Sequence, residues 1–477
     1  MNKSNPQDLA PRDGSNSQSR WVWLVVAGCA LVVFIGLLSP RERDNPSTGT
    51  GSQMTSGQGT TTGTELRYAR ERTRRSFSVP IPERTAEEIV AGKVVQFGRS
   101  RGELVRAAGR RAQKDVPPEV EKFFDALESG NWEEIEKHWK ALSRQSGQYE
   151  GSTHSPELDP FWPAVLDAYG VAEQAHDWPA QKLLDYGNAI LDSLRPGMVY
   201  LGGTDPGRWI PELLNETSGG EPHIIVTQNA FADGRYLDFM NTLYGDRMAT
   251  LTNEDSKRAF DEYIADAQKR LEHDQQFPDE PKQLRPGENV SVVDGKVQVS
   301  GQVAVMTINE TMFQMLLAKN PDLTFALEQS FPFKSAYGSA TPVGPIMEVR
   351  VQDEQNALTR ERAAQAVDYW RTTTQQLLTD SQAADASDVR KAYSKLASEQ
   401  AELLLYRNYT AEAEQTFRLA TEMCPSNPEA VFRYANLLVG QSRFEDAIPV
   451  VKNALNANPA NQHLRDLLEQ VQKKANP

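Results

Sequence analysis

Cysteine is almost missing from the 477-residue sequence: with only Cys29 and Cys424, neither a disulfide framework nor a cysteine-based metal site can form within one chain. Histidine is scarce too. The six, at positions 138, 154, 176, 223, 273 and 463, never pair at i, i+3 or i, i+4, which disfavours a helical metal site. Common enzyme signatures are also lacking, with no GxxxxGK[ST] phosphate loop, GxGxxG fingerprint, GxSxG elbow or HExxH helix. No catalytic residue, metal or cofactor is therefore assigned. Positive charge is short: the formal net charge of -14 repels phosphates over most of the surface and argues against a nucleic-acid partner.

Long apolar runs are missing except one. Residues 21–38 (WVWLVVAGCALVVFIGLL) carry no charge and are long enough to cross a bilayer as a helix. A single transmembrane anchor is expected there, since no small-residue cleavage site follows the run. Val26-Ala27-Gly28-Cys29 resembles the lipobox of bacterial lipoproteins, but the apolar stretch continues past Cys29. Lys3, Arg12 and Arg20 before the run, against Arg41 and Arg43 after it, favour a body outside the cytoplasm, held at a bacterial inner membrane.

Around this anchor the chain divides by composition. Residues 1–20 read as a polar tail. Residues 39–115 read as a stalk, first a Gly/Ser/Thr-rich tether and then a basic stretch with 13 Lys/Arg against 7 Asp/Glu between positions 65 and 115. Helical periodicity predicts a helical unit at 116–195. Between 196 and 352 short apolar strands alternate with helices, and Asp294-Gly295 suits a tight hairpin, which together predict a mixed α/β sheet. Residues 353–477 return to helices. The expected fold class is thus a multidomain α+β/α chain: transmembrane helix, helical subdomain, mixed-sheet α/β domain and C-terminal helical repeats.

Two candidate sites emerge. Crevices in parallel sheets open at the carboxyl ends of strands. Here those ends carry Gly202, Gly203, Thr204 and Asp205, then Gln228 and Asn229. The two glycines allow close backbone approach, and the helix that Asp205 and Pro206 begin aims amides at an anion, phosphate or sugar. Ordinary turn and capping chemistry explains the same residues and is the simpler reading.

The second site lies in a duplication. With a shift of 34 residues, Ala401/Ala435, Leu404/Leu438, Ala413/Ala447, Phe417/Val451, Ala420/Ala454 and Pro425/Pro459 coincide. The units 394–427 and 428–461 resemble the tetratricopeptide repeat, and the stretch 117–145 does so more weakly. The resemblance implies paired helices with a concave face, taking Lys395, Ser398, Glu402, Leu405 and Tyr406 from one unit and Glu429, Phe432, Asn436 and Val439 from the next. A protein or peptide partner would bind there. With only two units, the same face is equally open to cover by the chain's own helices.

The runs GMVYLGGTDPGRWIPELL, HIIVTQNAFADGRYLDFM, EQSFPF and VGPIMEVRV, from about position 198 to 351, resemble the soluble part of a bacterial O-mannosyltransferase-like family of multi-spanning membrane proteins. That resemblance implies an accessory or glycan-sensing role and carries over no catalytic residue, because the family's transferase activity belongs to its many-span portion. The expected function is membrane-anchored protein-protein interaction. The alternative is a domain that binds a nucleotide-sugar or glycan at the strand-end crevice.

Overall fold

The computed structural model describes residues 84–149, 151–220, 222–293, 296–350 and 357–475. In chain order the helices and strands are α1 (Ala86–Ala112), α2 (Pro118–Ser129), α3 (Trp132–Ser143), α4 (Trp162–Asp177), α5 (Ala180–Leu191), β1 (Val199–Gly202), α6 (Asp205–Glu216), β2 (Ile224–Thr227), α7 (Gly234–Tyr244), α8 (Asn253–Gln276), β3 (Asn289–Val293) and β4 (Lys296–Ser300). There follow α9 (Gln302–Lys319), β5 (Phe325–Leu327), β6 (Ala340–Val343), β7 (Ile346–Val349), α10 (Arg360–Thr379), α11 (Ser381–Asp385), α12 (Ser387–Tyr406), α13 (Thr410–Met423), α14 (Pro428–Gly440), α15 (Phe444–Ala457) and α16 (Gln462–Ala475).

The expected fold class needs correction. Most of the described chain is helical around a small mixed sheet, ordered β2-β1-β5-β7-β6. No described helix is long and apolar enough to cross a membrane. The run 21–38, on which the transmembrane expectation rests, lies outside the described residues, as do the tether and Asp294-Gly295.

The physical reason for the helical balance is strand length. Each of the five sheet strands has only three or four residues, too few for either face to close a core alone. Helices from far along the chain supply the rest. One apolar cluster joins Phe97 of α1, Tyr186 and Ile190 of α5, Tyr200 of β1, Ile210 of α6, Trp370 of α10 and Leu396 of α12. The other sheet face packs on α7, α8 and α9 through Leu237, Ala267, Met312 and Phe313.

Residues 86–112, read from composition as stalk, are instead the 27-residue helix α1. A Thr85 and Glu88 capping box starts it, and Val90, Phe97 and Val105 bury one stripe. Arg101 sits fully buried on that stripe. It donates to Glu212 at 2.7 Å and to both carboxylate oxygens of Glu216 at 2.6 Å, riveting α1 to α6. Asp167 of α4 lies 3.6 Å from the same guanidinium and also takes Arg208.

The duplicated positions meet where hairpins pack. Ala401, Leu404, Ala413, Phe417 and Ala420, with their counterparts Ala435, Leu438, Ala447, Val451 and Ala454, are all fully buried. Neighbouring units also lock by charge at the same offset: Lys395 pairs with Glu429, and Glu399 with Arg433. Asn408 and Ser442, again 34 apart, take left-handed backbone at φ 64° and 60° in the two hairpin turns.

Candidate functional site

Strands β1, β2 and β5 run parallel, β1 lying between the other two. From β1 the chain winds outward through α6 to β2 and later returns to β5 on the other side, so a crevice opens at their carboxyl ends. Thr204, rather than Asp205, caps α6: its hydroxyl accepts from the Gly207 amide at 3.0 Å. The Asp205 carboxylate is thereby left facing the crevice.

The amides that would hold an anion are already occupied. Glu328, one residue beyond β5 and buried, accepts from Gly203 N at 2.5 Å, from Thr204 N at 2.9 Å and from the Thr204 hydroxyl. Burial pushes its carboxyl pKa up, against the pull of those three donors. The glycines serve this internal carboxylate. A Cβ on Gly207 would stand 2.1 Å from the Glu328 carboxyl group, and one on Gly203 would stand 2.3 Å from the Ser330 amide.

Behind this turn the wall is stitched together. Asn229 Nδ2 donates to Gly203 O at 2.5 Å, while the Ser330 hydroxyl donates to Asn229 Oδ1 at 2.7 Å. Gln228 is fully buried and spans from Phe331 O to the Ser330 amide. From the far side, Lys395 Nζ of α12 reaches Ser330 O at 3.1 Å and the Glu429 carboxylate of α14.

Between these walls lies a cavity of about 280 Å³. The end of α4 lines it with Glu173, Gln174, Asp177 and Trp178; α9 adds Val305, Met306 and Asn309, and α12 adds Asp388, Lys391 and Lys395. Thus the two candidate sites share one cavity: Gly203, Thr204, Asp205 and Asn229 meet Lys395 and Glu429 in its lining. Gly202 and Gln228 stand behind the wall. Ser398, Glu402, Tyr406, Phe432 and Asn436 lie away from it. Ser398 is buried, whereas Tyr406 and Phe432 are each 53% exposed.

The first repeat helix turns its inner face to the sheet. Gln400 donates to Gly344 O and Ile346 O, and Arg407 to Tyr337 O and Gly338 O. Tyr406 packs edge-on against Tyr337 with ring centroids 5.4 Å apart. These contacts brace the first repeat helix on the sheet, and of the residues expected on the concave face Ser398 is buried while Tyr406, Phe432 and Asn436 stay exposed.

The electrostatics of the cavity are uneven. Burial raises Glu173 to about 7, with Asp205 adding to the effect while the Tyr169 hydroxyl, donating at 3.0 Å, opposes it. Burial likewise raises Asp205 to about 6, against Arg208 and with help from Glu328. Asp177 is raised by burial as well. Burial would raise Glu429 too, but Lys395 and Arg433 outweigh it and hold it low. No group of three His, Cys, Asp or Glu side chains among the described residues is arranged to hold a metal ion.

Asn309 has the least expected environment of the lining. Its side chain is 0% exposed, and neither Oδ1 nor Nδ2 has a hydrogen-bond partner. Buried amides normally find partners, and leaving one without costs roughly 1–3 kcal/mol.

Sequence reasoning missed Glu173, Asp177, Asn309 and Glu328. A signal existed for the first two, since carboxylates in the last turn of a helix oppose its dipole. Asn309 also stands out in retrospect, interrupting the apolar stripe of Ile308, Met312, Phe313 and Leu316.

No family model, curated protein or solved structure matches the sequence. The tetratricopeptide and mannosyltransferase-like resemblances rest on their motifs alone.

Proposed function

We propose that the chain is a ligand-binding protein whose cavity, between strand ends and repeat helices, takes a small polyhydroxylated molecule of the sugar class. The observation that carries this reading is Asn309, an amide kept buried and unpartnered in a cavity wall. Amides and carboxylates beside apolar surface are the chemistry that sugars need, and here Gln174, Asn229 and Asn309 accompany Trp178 and Phe331. A nucleotide-sugar fits less well. Its diphosphate would find the Gly203 and Thr204 amides taken by Glu328, in a lining with more carboxylates than cations.

Calorimetric titration of the full chain with neutral oligosaccharides and with a uridine-diphosphate sugar tests the reading. Saturable heat from a sugar, lost in Asn309→Leu, supports it. Binding of the nucleotide-sugar alone, or of nothing in the panel, refutes it.

A second reading, capture of a protein partner on the repeat helices, is supported by the exposed aromatics Tyr406 and Phe432. Its test is whether Phe432→Ala removes a partner crosslinked to the intact protein.

A further inference from the structure

The charges facing the cavity do not cancel. Five carboxylates line it, from Glu173, Asp177, Asp205, Asp388 and Glu429, against the two ammonium groups of Lys391 and Lys395. Lys395 is committed to Glu429 and to Ser330 O. Asp388 and Lys391 stand on the α12 wall with interactions of their own. That leaves the wall made by α4 and the start of α6. There Glu173 receives only the Tyr169 hydroxyl, and no described side chain donates a hydrogen bond to Asp177 or Asp205.

Withdrawing carboxylates from water is costly unless counter-charges offset it; Arg208 does so only in part at Asp205, and burial still raises both Glu173 and Asp205. A neutral sugar would leave that cost in place. An anion would add to it, and a metal ion lacks a suitable ligand cluster among the described residues. An organic ammonium group relieves it, because its three donors can divide among acceptors that are not gathered around one point. Asn309, in the same lining, keeps a buried and unpartnered Oδ1.

From this balance we infer that the ligand carries an amine, held as ammonium against Glu173 and Asp205, and is of the amino-sugar class. The inference rests on the sugar-binding reading above and narrows it.

The test is calorimetric titration of the full chain at pH 7.5 with three probes: a disaccharide of glucosamine, its N-acetylated counterpart and spermidine. Wild type is compared with Glu173→Gln/Asp205→Asn, and thermal melts of both proteins check folding. Both changes keep side-chain size and remove a desolvated charge, so the variant should melt no lower than wild type. The amino disaccharide is expected to bind at least about tenfold tighter than the acetylated one, a gap that the double variant closes.

Equal or tighter binding of the acetylated sugar would overturn the amine while leaving sugar binding intact. Amine binding that survives in the double variant would overturn the assignment to these carboxylates. Should spermidine alone bind, and lose affinity in the variant, the amine stands and the sugar falls. If none of the three binds, both are wrong.

Discussion

Asn309→Leu separates a site residue from a structural one, because the two roles predict opposite effects on stability. In the ligand-free protein the Asn309 amide is fully buried, with both polar atoms unpartnered. Unfolding returns those atoms to water, so they cost the native state roughly 1–3 kcal/mol. Leucine removes the cost and joins the apolar set of Ile308, Met312 and Phe313 on α9. Its extra bulk can extend into the adjoining cavity, so overpacking should be small. Native stability should therefore rise by about 1–3 kcal/mol, which for a folded body of this size is a melting shift of roughly 1–4 °C. Differential scanning calorimetry of the ligand-free proteins measures it, alongside titration with the sugar panel. A higher melting temperature with lost binding is the expected pair. If the variant instead melts several degrees lower, the amide is satisfied in the native protein, and the argument from its isolation collapses.

Glu328→Ala should cost about 2–4 kcal/mol by stranding the Gly203 and Thr204 amides, and acetate should restore part of the lost melting temperature in the variant but not in wild type. Glu173 and Asp205, raised to about 7 and 6, bind protons in the native state that the unfolded chain releases near pH 4. Their contribution therefore declines as pH rises from about 4 to 7, and Glu173→Gln/Asp205→Asn should flatten that part of the wild-type melting profile. Arg101→Met, which takes from the buried Glu212 its closest cation and leaves Arg208 alone beside Glu212 and Asp167, should lower stability by about 3–5 kcal/mol in urea titrations.

The parts of this architecture that announce themselves in sequence are those with a period. The 34-residue offset in Ala401/Ala435 and Leu404/Leu438 marks positions that prove to be buried contacts between helices. Short β-branched runs such as Ile224–Thr227 mark strands, and four of the six residues named at the strand ends line the cavity. Composition misled where charge was read as solvation. Arg101 lies in a basic stretch, yet its partners Glu212 and Glu216 are more than a hundred positions away, beyond the reach of any local window. Glu328 was illegible for the same reason: nothing near it in the chain reveals that it turns back onto Gly203. The strand segments also drew more weight than their three or four residues merit, so the helical share of the fold was underestimated.

The walls of the cavity are drawn from α4 in the earlier part of the described chain and α14 near its end, which contribute Glu173 and Glu429 to the lining. A nascent polypeptide consequently owns no pocket until the second helical hairpin has emerged from the ribosome. A bound molecule can steady the finished protein, but it cannot template the folding of the earlier half.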